Sequence, residues 1–224
     1  MCDEVAVCGS GPDDHSTPQA CRVCLDSLLL GARPSSLLDF QRLCAEDPGS
    51  QPRYFPTGVF ENTDIEQWWN CRNSRFLAAI QEAPLWPAPR NLEAFCLLWL
   101  RGFRRLLVIR VERRSNHILL VRKEADVQEA FEPGELVVNE IRSVSRAQWL
   151  RLKELLQKAE SPESQVASVI DSTLAKEEWT LEGIKSGEYH VDVWYRSPFG
   201  PAARRELISY LLSMAGIGVA PDEL

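Results

Sequence analysis

Apolar residues recur at helical spacing between positions 63 and 82, where Ile65, Trp68, Trp69, Phe76, Leu77 and Ile80 trace one stripe. Asn62, Thr63 or Asp64 supplies a helix start, and Pro84, Pro87 and Pro89 stop the helix. The pattern then changes. Leu92–Leu100, Arg104–Arg113, His117–Lys123 and Glu135–Val144 are apolar or β-branched runs separated by Gly102, Ser115-Asn116 and Pro133-Gly134. They predict a β meander, with the second and third runs close enough to form a hairpin. Ser145 followed by Gln148 is a capping box. It predicts a helix to about Ala159, with Trp149, Leu152, Leu155 and Leu156 on one face, ended by Pro162. A last helix runs from Pro201, with Leu207, Ile208, Leu211 and Leu212 facing inward and Gly216 as its C-cap.

Between the last two helices lies Glu177 to Trp194, EEWTLEGIKSGEYHVDVW. Two β-type runs flank Ser186-Gly187, a turn dipeptide. A two-residue loop there sets Trp179 opposite Trp194 and Gly183 opposite His190, and residues directly opposite share a face. One face then carries Trp179, Leu181, Gly183, His190, Asp192 and Trp194. The other carries Thr180, Glu182, Ile184, Tyr189, Val191 and Val193.

Strand runs punctuated by helices, without regular β-α-β alternation, predict an α+β fold: an antiparallel β-sheet with helices packed mainly on one face. The helices near 146–159 and 201–215 are expected on that face, with the other face open to solvent or to a partner. Residues 1–52 read differently. Pro, Gly, Ser and Asp dominate them, and they predict a flexible, acidic, Cys-containing segment ahead of a single domain over 53–224.

Charge narrows the function classes. The chain of 224 residues carries a net charge of −7, and its first 50 residues hold eight acidic residues against three arginines. Nucleic acid is not expected as a partner, because phosphate binding needs clustered Lys and Arg. One basic strip (Arg101, Arg104, Arg105, Arg110, Arg113, Arg114, Arg122 and Lys123) reads as a solvated sheet edge or face. The longest apolar run, Phe95–Leu100, is too short to cross a bilayer, so no membrane is expected.

The cysteines number seven, an odd count with five in the first 44 residues. With no signal peptide in view, this pattern predicts reduced thiols and a cytoplasmic location. Cys21-x-x-Cys24 has ligand types for zinc, but no second clean pair completes a site. A zinc-binding N-terminal module is therefore an alternative, not the expectation. No P-loop, dinucleotide fingerprint, HExxH or EF-hand occurs, and no cofactor is implied.

Several segments carry a resemblance. FLAAIQEAPLW, LLWLRGFRRLLVIRVER, ELVVNEIRSVSRAQWLRLKELL, WTLEGIKSGEYHVDVW and ELISYLLSMAGI together resemble a family of uncharacterised bacterial proteins. The shared features are a W-x-L-E-G…G-x-Y-H hairpin and a C-terminal YLL-x-x-AG helix. The resemblance spans roughly residues 74–217, and Trp179, Leu181, Glu182, Gly183, Gly187, Tyr189 and His190 carry most of it. It implies a domain boundary and a bacterial origin, but no activity. The family tends to place Arg-Trp-Ser-Pro after the Tyr-His, where this chain has Trp194-Tyr195-Arg196-Ser197-Pro198.

Candidate chemistry centres on the hairpin. Gly183 leaves space beside His190, and Asp192 lies two residues along on the same face, where a carboxylate raises imidazole basicity. A small hydrolase using His190 with Asp192 or Glu182 is one reading. No nucleophile in motif context accompanies it, and G-x-S-x-G is absent. Tyr189, His190, Trp194 and Arg196 are residue types enriched in interface hot spots. The leading expectation is therefore a non-catalytic protein-binding domain, an immunity-like or regulatory partner of another protein, with Tyr189, His190, Trp194 and Arg196 as binding residues.

Overall fold

The computed structural model describes residues 53–59, 63–87, 91–101, 105–129, 132–160, 178–195 and 202–218, all within one compact unit, Pro34–Leu224. In chain order these form α1 (Thr63–Ala79), β1 (Glu93–Arg101), β2 (Arg105–Arg114), β3 (His117–Glu129), β4 (Glu132–Ser143), α2 (Arg146–Ala159), β5 (Glu178–Lys185), β6 (Glu188–Tyr195) and α3 (Ala202–Met214). The strands make one sheet in the order β4-β3-β2-β1-β5-β6, and every pairing is antiparallel. The fold is α+β.

Local chemistry explains the punctuation. Ser186 and Gly187 both take positive φ, 57° and 84°, and close the β5–β6 hairpin as its two loop residues. That backbone twist matches the twist of the flanking strands. Ser115 (φ 53°) opens the β2–β3 turn. Ser145 caps α2: its side chain accepts from the Gln148 backbone N–H, and the Gln148 side chain accepts from the Ser145 N–H at 3.0 Å. Gly216, at φ 71°, ends α3.

Alternation along the strands sends two sets of side chains to two cores. Phe95, Leu97 and Trp99 join Leu107, Ile109, Val111 and Trp179 beneath α2 and α3. Trp99 and Trp179 meet edge-on at 6.0 Å, and Phe95 lies 5.7 Å from Trp149. On the opposite face Ala94, Cys96, Leu98, Leu100, Leu106, Val108 and Ile184 pack against Phe76, Leu77 and Ile80 of α1 and its C-terminal extension, with Tyr54, Phe55 and Leu85. Two of the three described helices thus share one face, as expected, but the second face is not open. The physical reason is in β1 and β2. Both are apolar at odd and even positions alike, so the centre of the sheet needs cover on both sides.

The basic strip also differs from its expected role. Arg110 and Lys123 are buried. Arg110 Nη1 donates to the Ala83 carbonyl at 2.7 Å, and Lys123 Nζ donates to the Gln81 carbonyl at 2.7 Å. On the other face Arg122 donates to the Ala215 carbonyl at 3.3 Å. These cations sit where helices α1 and α3 end, and a helix C-terminus favours positive charge. Arg105, Arg113 and Arg114 do remain exposed.

Candidate functional site

The β5–β6 register is the one the turn predicts: Trp179 opposite Trp194, Gly183 opposite His190, and Ile184 opposite Tyr189. The expected sharing of faces follows. The consequences for chemistry are different. A Cβ at Gly183 would lie 2.7 Å from Phe95 Cδ1, so the space beside His190 is filled by the Phe95 ring. His190 points outward instead, its side chain 58% exposed, with Glu188 Oε2 at 3.8 Å. Asp192 Oδ2 accepts from Arg204 of α3 at 3.0 Å. Glu182 lies on the opposite face and is buried, so it does not join His190 in one site. Arg196, Cys21, Cys24 and the side chain of Trp194 lie outside the described residues.

Glu182 belongs to a polar cluster that the sequence pattern did not assemble. Its register partner on β1 is Cys96, and Tyr189 is diagonal to it on β6. Tyr189 Oη donates to Glu182 Oε2 at 2.9 Å, and the Cys96 thiol also bonds to the carboxyl. Burial is the dominant influence on the Glu182 carboxyl and pushes it up to about 7, against the lowering effects of Tyr189, Arg110 and Cys96. Burial likewise raises the Cys96 thiol well above its ordinary value, reinforced by the charges of Glu182 and Glu82. A buried thiol held protonated is the reverse of a reactive thiolate.

Beside this cluster runs a network of buried ions. Arg110 bonds Glu82 Oε1 at 3.2 Å and Glu112 Oε2 at 2.8 Å, while Lys123 Nζ lies 2.9 Å from Glu82 Oε2. Tyr54 Oη donates to the Glu82 carbonyl at 2.7 Å. Further along the same face Arg72 and Asn73 of α1 bond Glu178 of β5. The Glu82 and Glu178 ion pairs join α1 and its C-terminal extension to the sheet. Each charge has a partner of opposite sign, which is what a buried ion needs. The arrangement orients α1, and its polar atoms face one another. Among the described residues, no group of three or more His, Cys, Asp or Glu is placed to hold a metal. Cys71 is disulfide-bonded, which departs from the expectation of reduced thiols throughout; Cys96 is free.

A different surface stands out. Five large apolar side chains are exposed among the described residues, and three of them, Leu136, Val137 and Ile141, lie on β4. Val137 is 51% exposed and Ile141 66%. β4 is a sheet edge, and among the described residues no strand pairs with its outer side. Its sequence ELVVNEIRS reads simply as another strand; that it lies at the edge depends on the sheet order, which no local pattern encodes. Searches of protein-family models, curated proteins and solved structures find no match to this chain. Among the described residues, no helix is long and apolar enough to cross a membrane.

Proposed function

We propose that this chain is a non-catalytic protein-binding domain, and that it binds through the β4 edge. The observation that carries this reading is the concentration, among the described residues, of exposed apolar side chains on one edge strand, with Ile141 the most exposed of them. An edge strand presents a row of open N–H and C=O groups, and apolar side chains beside them give an incoming segment both hydrogen bonds and area to bury. The titratable groups buried beneath α1 support the reading from another side. Glu82, Glu112, Arg110 and Lys123 are buried in one bonded network, and buried Glu182 is held by Tyr189, so they serve the fold. The expected binding residues Tyr189 and His190 divide between the two faces of β6, Tyr189 toward Glu182 and His190 toward solvent.

The test is affinity capture from an extract of the source cells with three forms of the chain. Wild type retains a partner. Val137→Arg and Ile141→Arg lose it while remaining folded by circular dichroism, and His190→Ala keeps it. Equal retention by wild type and both β4 variants would overturn the assignment of the surface.

A further inference from the structure

Resting on the β4 reading, we infer that the partner at this edge is a second copy of the same chain, paired antiparallel about a two-fold axis at Ile141. The register follows from the residues. The Val144 N–H donates to the Ile118 carbonyl at 2.9 Å, so Val144 faces β3. Antiparallel ladders alternate, which turns the backbone groups of Ser143, Ile141 and Asn139 to the open side. The β3–β4 pairing is regular from Val138 to Ser143; its register shifts begin at the next pair outward. A self-pairing strand related by a two-fold axis must set residues of the same face opposite one another.

Four centres lie inside that stretch, and charge and regularity choose among them. A centre at Glu140 sets Glu140 against its own copy, and a centre at Arg142 sets two arginines together. A centre at Asn139 draws the irregular residues around Val137 into the ladder. A centre at Ile141 sets Ile141 against Ile141, Asn139 against Ser143, and Glu140 against Arg142, the last two pairs occurring twice by symmetry. Glu140 and Arg142 already bond within one chain at 2.5 Å and share a sheet face. Two copies therefore form an alternating square of charge on that face. On the other face Ile141, the most exposed large apolar side chain among the described residues, packs on its own copy. The outward N–H and C=O groups of Asn139, Ile141 and Ser143 meet as bonded pairs. The assembly is one continuous sheet made from two six-stranded halves.

The test uses the full chain and reads mass by sedimentation equilibrium. Wild type is expected at twice the 25.4 kDa chain mass. Glu140→Arg and Arg142→Glu are each expected at the chain mass, because each sets like charges opposite. Mixing those two variants is expected to restore the doubled mass, because all opposed charges are then complementary. Wild type at the chain mass at every concentration reached would overturn self-pairing. It would leave the binding surface itself to the capture experiment, which reads β4 with any partner. Doubled mass in both single variants, or no restoration on mixing, would overturn this edge and register.

Discussion

Replacing Glu182 by Gln is predicted to make the protein more stable at neutral pH and to leave it nearly unchanged in acid. Glu182 is 3% exposed, and its carboxyl is shifted from 4.5 to about 7 chiefly by burial. In the unfolded chain it loses its proton near 4.5; in the fold it keeps that proton until about 7. Between these values folding takes up a proton, so the contribution of this group falls as pH rises and levels off above about 7. At about 1.36 kcal/mol for each tenfold change in proton affinity, the gap amounts to about 3 kcal/mol. Glutamine is neutral at every pH, and its carbonyl oxygen still accepts the Tyr189 hydroxyl. Urea unfolding followed by tryptophan fluorescence measures the difference between variant and wild type near pH 4 and near pH 8. Near parity is expected at the lower pH, and a gain for the variant approaching that figure at the higher one. An equal difference at both, or a less stable variant near pH 8, would mean that burial does not dominate at Glu182.

Other consequences are simpler. Trp179→Ala removes a buried ring from its contact with Trp99 and should cost about 3–5 kcal/mol in denaturant unfolding; an unchanged midpoint would show that the ring is not core. Arg110→Ala leaves Glu82 and Glu112 buried with less compensation and should cost about 3–5 kcal/mol. The paired change Arg110→Met with Glu82→Gln should recover part of that loss, and no recovery would deny the coupling between the two. Gly183→Ala drives a methyl group against the Phe95 ring and should cost about 1–3 kcal/mol. A stabilised variant would mean that open space exists beside His190 after all.

Much of the fold was legible because its signals are local. The capping box at Ser145 and Gln148 placed α2 at its observed start, and Ser186-Gly187 set the β5–β6 register residue by residue. Strand β3 runs on to Glu129, beyond its expected end at Lys123. The end of the strand, KEADVQE, looks polar as a string, yet Lys123 and Glu124 are buried, with Lys123 paired to Glu82 and Glu124 bonded to Arg122. The Lys123–Glu82 pair joins residues 41 positions apart in sequence, and no periodicity reports it. The covering of the second sheet face did leave a trace: the unbroken apolar run from Phe95 to Leu100 has no polar side to give to solvent. The candidate site was legible only in part. The faces of the hairpin followed from its turn, but what stands against each face did not. Phe95 fills the space at Gly183, and Arg204 takes Asp192. Both come from elements that the hairpin sequence does not contain.

The sharpest check on the pairing of two copies through β4 is amide hydrogen exchange resolved along that strand. The outward amides of Asn139, Ile141 and Ser143 are predicted to slow as protein concentration rises, while those of the far edge strand β6 keep a constant rate. Exchange along β4 that is independent of concentration, or slowing confined to β6, would rule out self-pairing through β4.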